Sequence, residues 1–174
     1  MGLTGFFVNG TSELLLHCGG TDEVNDLFSF GCSVFDLETD GDHVSVTSAT
    51  EIASLPHPLC TACHGGDGNR FVVAGGMEAL RQGDLTRNST VAYHDGVLVL
   101  EGIGASWDLI PTTLGRSRAM QVGVFVEGKL LCLGGVEDTV GLPSWDRQLY
   151  LVQLCLGYGA ERLVNLNFCY VRTK

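Results

Sequence analysis

The sequence predicts an all-β chain built from three repeats of a four-stranded antiparallel unit. Three observations carry this. Three short apolar runs end in a glycine pair: Leu14-Leu-Leu-His-Cys-Gly-Gly20, Phe71-Val-Val-Ala-Gly-Gly76 and Leu130-Leu-Cys-Leu-Gly-Gly135. Their second glycines recur at steps of 56 and 59 residues. The chain of 174 residues holds 24 glycines against 4 prolines, and 45% of it is hydrophobic. Glycine set among Val, Leu and Phe reads as many tight turns between short strands rather than as disorder.

Each repeat opens with a hairpin. The expected first strands are Gly5 to Asn9, Cys60 to His64 and Met120 to Val126. A glycine-bearing turn follows each one: Asn9-Gly10, Gly68-Asn69 and Glu127-Gly128. The apolar run ending in Gly-Gly is then the second strand. A polar loop of about ten residues should lead to a third strand. The candidates are Gly31 to Leu37, Ser89 to His94 and Gln148 to Leu154. Fourth-strand candidates are His43 to Thr47, a segment within Val97 to Ile110, and Arg162 to Tyr170. Leu55-Pro56 and Ile110-Pro111 should end the fourth strands, because proline cannot donate to a ladder. The units then span 5–54, 57–110 and 116–170 of one domain covering 1–174.

Four strands per unit at such a period is the signature of propeller blades. The glycine pairs would let the second strand leave its sheet sharply, since glycine permits positive φ and close approach of backbones. The pattern resembles the kelch family. The residues that carry the resemblance are the three Gly-Gly pairs, Leu55-Pro56, Ile110-Pro111, Trp107 and the hairpin Arg118 to Gly135. The family's aromatic before the third strand and its tryptophan in the fourth are not evident in blade one, and blade three places Trp145 in a loop instead. Trp107 falls at the family's outer-strand position, where it should be core.

Three blades cannot close a propeller, which takes about four to eight. Self-association completing the ring is one expectation. A cap formed by the apolar segment Leu154 to Lys174 is another, and a place within a longer array is a third.

Charge bounds the partners. Asp and Glu number 20 against 10 Lys and Arg, a net charge of −10, and no basic run exists. Such a field repels a phosphate backbone, so no nucleic acid is expected. No apolar run reaches the roughly 18 residues needed to span a bilayer, and the N-terminus has no basic n-region. A cytoplasmic chain with no membrane contact is expected. Seven cysteines, an odd number lying mostly in apolar strands, read as buried free thiols in a reducing compartment. The sequons at Asn9 and Asn88 are discounted, since such tripeptides arise often by chance and no signal peptide is evident.

Cys60-Thr-Ala-Cys63-His64 matches the C-x-x-C-H pattern of haem attachment. Strand alternation would split the two thiols between faces, and a zinc site would lack a second ligand pair. No metal or cofactor is therefore expected. Binding is expected in the loops after each glycine pair, 21–30, 77–88 and 136–147, since loops on a rigid scaffold carry recognition. Glu78, Arg81 and Arg87 lie in the second loop, and Trp145 in the third.

The kelch resemblance adds that an arginine opening the first strand lines the channel mouth. Arg118 matches that position and Arg116 stands beside it. Arginine suits carboxylate recognition, so an acidic peptide or an acidic small molecule would fit it. A structural arginine bonding carbonyls of the preceding loop is the equal alternative. The expected partner is a protein, with an acidic segment as one form. The resemblance also implies alternatives, since some kelch propellers are enzymes, among them copper-radical oxidases and sugar-acid epimerases. Copper chemistry would need a Tyr, His and Cys cluster, and spacing does not bring Tyr93, His94 and Cys60 together. No catalytic residue is assigned. The leading expectation is a non-enzymatic protein-binding module. An enzyme acting on a sugar acid and a structural subunit of a larger assembly follow it.

Overall fold

The computed structural model describes residues 2–9, 12–22, 27–79, 91–113, 118–137, 144–145 and 149–153. All regular elements among them are strands, so no helix among them is long and apolar enough to cross a membrane. In chain order they are β1 (Leu3–Asn9), β2 (Ser12–Cys18), β3 (Thr21–Asp22), β4 (Leu27–Phe28), β5 (Cys32–Asp40), β6 (His43–Ile52), β7 (Cys63–Gly66), β8 (Phe71–Ala74) and β9 (Met77–Ala79). They continue as β10 (Val91–Tyr93), β11 (Gly96–Leu100), β12 (Trp107–Thr113), β13 (Arg118–Ala119), β14 (Val122–Val126), β15 (Lys129–Leu133), β16 (Val136–Glu137), β17 (Ser144–Trp145) and β18 (Leu149–Gln153).

Blade one is the antiparallel sheet β1-β2-β5-β6, blade two is β7-β8-β11-β12, and blade three is β14-β15-β18. A small ribbon follows each glycine pair: β3-β4, β9-β10 and β13-β16-β17. The three blades form an open partial propeller. They do not close into a ring.

Burial along the strands reports each blade's place. In β2, Leu14, Leu16 and Cys18 are buried while Glu13 and His17 are exposed, the alternation of a sheet covered on one face. Every residue of β8, by contrast, is buried. Phe71 and Val73, with Leu98 and Leu100 of β11, join the core shared with Leu3, Phe7, Leu14 and Leu16 of blade one. The intervening Val72, Ala74, Val97 and Val99 join Leu130 and Cys132 of blade three. Blade two is therefore the filling of a sandwich, and its continuous apolar runs are what burial on both faces requires.

The glycine pairs repeat as conformations, not only as letters. Their φ values are 66° and 98° at Gly19-Gly20, 68° and 102° at Gly75-Gly76, and 67° and 104° at Gly134-Gly135. An L side chain rarely adopts this succession. At Gly76 a Cβ would also stand 2.8 Å from that of Ala62 and 3.1 Å from the Cys60 carbonyl oxygen. The turn of blade two is fixed by its aspartate. Asp67 Oδ1 accepts from the backbone N–H groups of Asn69 and Arg70, each at 3.1 Å, and the Arg70 guanidinium lies 5.7 Å from the Phe125 ring of blade three.

Several expectations need correction. The third strand of blade two is β11, Gly96–Leu100, not Ser89 to His94. Val91–Tyr93 is strand-like but pairs with β9, because the loop after the glycine pair folds on itself. Pro111 does not end the fourth strand. It lies within β12, an edge strand where proline is tolerated, beside a bulge between Gly96 and Val97. The first strands begin at Leu3, Cys63 and Val122, and β6 runs on to Ile52. Arg162 to Tyr170 and the expected cap from Leu154 lie outside the described residues.

The thiol expectation is also overturned. Cys18 is disulfide-bonded to Cys32 and Cys63 to Cys132, with Cα–Cα distances of 4.1 and 5.8 Å. The first bond joins register neighbours on β2 and β5. The second ties blade two to blade three. Stacking of the blades sets that pairing, and linear spacing gives no hint of it. Among the described cysteines only Cys60 is free.

Trp107 packs against the core of blades one and two, edge-on to Phe71 at 6.4 Å. Its Nε1–H donates to the Ala53 carbonyl at 2.9 Å, fastening the connector from blade one. Trp107→Phe should keep most of the packing and orphan that carbonyl. A loss of about 1 kcal/mol in urea unfolding is expected.

Candidate functional site

Cys63, Ala74, Val97 and Ile110 stand side by side across blade two and mark one end of its sheet. The chain enters there from the connector, leaves β8 through Gly75-Gly76, and turns back through the β9-β10 ribbon. Met77 and Cys60 exchange both backbone hydrogen bonds at 3.0 Å, which seats the ribbon against the connector. Connector and ribbon thus form one mouth.

Three ionisable side chains far apart in sequence meet at this mouth. His94 Nε2 donates to Glu78 Oε2 at 2.9 Å. His57, on the connector and 51% exposed, brings Nδ1 to 3.9 Å from the same oxygen. The two imidazoles stack with centroids 5.5 Å apart and planes 27° from parallel. His94 is positioned by its own backbone, whose N–H donates to the Gly76 carbonyl at 2.9 Å. A carboxylate flanked by two imidazoles can hold or pass a proton, or accept a donor from a ligand. Among the described residues no group of three His, Cys, Asp or Glu is arranged to hold a metal.

Blade three repeats the frame. Ala119 opposite Val136 is the counterpart of Cys60 opposite Met77. Arg118 therefore occupies the position of Leu59, and its strand residue pairs with Glu137, the counterpart of Glu78. The same offset puts Arg116 at the sequence position of His57. The side chain of Arg118 lies outside the described residues, as do Arg116, Arg81 and Arg87. Of the six expected binding residues, Glu78 is the one whose side chain is placed, and it sits at the mouth.

Trp145 is not in a featureless loop. It lies in β17 opposite Val136, as Tyr93 lies opposite Met77 and Phe28 opposite Thr21. Each blade thus has an aromatic in one register, including blade one, where none was expected. The histidines were missed because they occur singly, 37 residues apart. A signal was present nonetheless: an acidic residue stands second after each of the three repeating glycine pairs, at Asp22, Glu78 and Glu137.

The Cys60, Cys63 and His64 group is divided among separate partners. Cys63 is consumed by its disulfide. His64 Nδ1 hydrogen-bonds the Ala62 carbonyl at 2.9 Å, and its ring lies 5.8 Å from that of Phe71. Cys60 and Tyr93 both pair with Met77 and so flank it on opposite sides, about 10 Å apart at two strand spacings. Burial pushes the Cys60 thiol above its ordinary pKa, more than its contact with Thr61 lowers it. The thiolate is thus disfavoured in the folded state. Alkylation of native protein at pH 7.5 should be at least about 10-fold slower than after unfolding, checked by mass spectrometry without reductant. The raised value also means that the fold loses stability as pH rises through the ordinary thiol range.

These features define a class of structure, a partial β-propeller with a polar mouth. Solved structures share the fold. The chain is similar to YjhT, with a TM-score of 0.60 and 17% identity over 87% of this chain and 42% of that one. It is also similar to a chain of a cryo-EM structure of RAG in complex with one melted and one unmelted RSS, with a TM-score of 0.67 and 17% identity over 98% and 51%. The chain thus spans about half the length of each. No protein-family model and no curated protein matches it.

Proposed function

We propose that this chain is a kelch-type recognition module without catalytic function, binding a protein partner through its mouth and the loops after the glycine pairs. One observation carries the reading. In blade two the ribbon and connector bring His57 and His94 to Glu78, and blade three repeats the backbone register, with Glu137 at the position of Glu78 opposite Arg118. Polar groups held on a repeated rigid frame suit recognition. Arg118 would take a carboxylate of the partner through its planar fork. The two disulfides favour an oxidising setting over the reducing cytoplasm.

The test is affinity capture with wild type, Arg118→Ala and Glu78→Gln, followed by comparison of the retained proteins. At least one partner should be lost from each variant. Identical profiles for all three would remove the mouth from the binding surface.

The Glu78–His94 pair favours a second reading, a propeller enzyme acting on a sugar acid or similar small molecule. A carboxylate within hydrogen-bond distance of an imidazole is a proton-transfer pair. Turnover of a sugar-acid panel followed by proton NMR, abolished in Glu78→Gln, would establish it. No turnover with any member would leave recognition as the reading.

A further inference from the structure

The faces of the first strands form a series. Leu3, Gly5 and Phe7 of β1 turn toward blade two: Leu3 and Phe7 are buried in the shared core, and a Cβ on Gly5 would meet the Phe71 ring. In blade two the same register holds Cys63 and Gly65, which turn toward blade three. Cys63 bonds Cys132, and a Cβ on Gly65 would lie 2.9 Å from Phe125 Cβ and 3.3 Å from Leu130 Cδ1. In blade three the series continues with Val122, Val124 and Val126, exposed by 64%, 45% and 47%. Leu133, paired with Val122, extends this exposed apolar face.

The complementary surface stands at the other end of the molecule. Phe125 and Leu130 are what blade three offers to Gly65. Their register counterparts in blade one are Phe6 and Leu15, which pair with each other. Phe6 points away from blade two and is 56% exposed. Among the described residues, blade three thus leaves an uncovered socket face and blade one an uncovered knob.

We propose that a second copy of this chain covers these faces, blade three of each copy packing on blade one of the other. The two contacts are identical and related by a two-fold axis, so the assembly closes. Three blades from each copy make six, within the range that closes a propeller. The contact continues the packing already present between blades one and two and between blades two and three.

The test is molar mass by light scattering and sedimentation of the full chain at about 20 μM, a concentration at which a contact of ordinary size is populated. Wild type should run at twice its 18.6 kDa chain mass. Val124→Asp and Phe6→Asp should each weaken association by at least about 100-fold, because each buries an unpaired charge in both contacts. Circular dichroism should remain that of wild type. A mixture of the two variants should associate again, since one of its two contacts is wild type on both sides. A monomeric wild type overturns the proposal. So does a Phe6→Asp protein that dimerises as well as wild type, which would mean that two valine faces pair with each other.

Discussion

Gly76→Ala is expected to be among the most damaging single-methyl additions this chain can receive. The native φ of 102° lies beyond the left-handed region that other residues occasionally visit. The new methyl would also press on the Ala62 Cβ and the Cys60 carbonyl, neither of which is the end of a flexible side chain. Together these should cost about 3 kcal/mol, or roughly 9 °C in Tm for a chain of this size. Gly41→Ala is the control. Gly41 has a φ of 60°, and a Cβ there meets nothing within 4 Å. It should lose about 1 kcal/mol, the conformational part alone. Urea unfolding should move the midpoint in both variants with little change of slope. Equal losses would mean that crowding at the mouth contributes nothing.

Replacing Cys63 and Cys132 together by alanine should remove about 4 kcal/mol, and replacing Cys18 and Cys32 about 3 kcal/mol. Each bond restricts the unfolded chain according to the loop it closes, and the sequence separations are 69 and 14 residues. Denaturant unfolding of both double variants, compared with wild type, reads the order directly. A larger loss from the Cys18–Cys32 pair would show that the inter-blade bond adds little to the restriction already imposed by packing. Denaturation with and without reductant should give the sum of the two effects in wild type.

The glycine pairs made the repeat legible, since a residue that must take φ near 100° leaves a mark in the chain that side-chain packing does not. The outer strand of blade one and the hairpins were legible from turns and apolar runs. The third strand of blade two was not. Val91-Ala-Tyr93 and Gly96-Val-Leu-Val-Leu100 are both short and apolar, and only pairing partners tell a ribbon strand from a blade strand. The site was legible in part. Glu78 could be named from its loop, but His57 and His94 come to it from the connector and from the far side of the ribbon. The disulfides were hidden for a similar reason. Cys63 faces Cys132 because two blades stack, and stacking is a long-range fact. The odd cysteine count pointed the other way, because Cys60 is free and the count says nothing of which thiols meet.

The bond between Cys63 and Cys132 has a consequence for the chain as a covalent object. Every peptide link from residue 63 to residue 132, including the connector from blade two to blade three, lies inside the loop it closes. A single cut by a protease anywhere in that span severs the backbone yet releases nothing. The nicked protein would keep blade three joined to blade two, migrating as one species in a non-reducing gel and as two after thiol treatment.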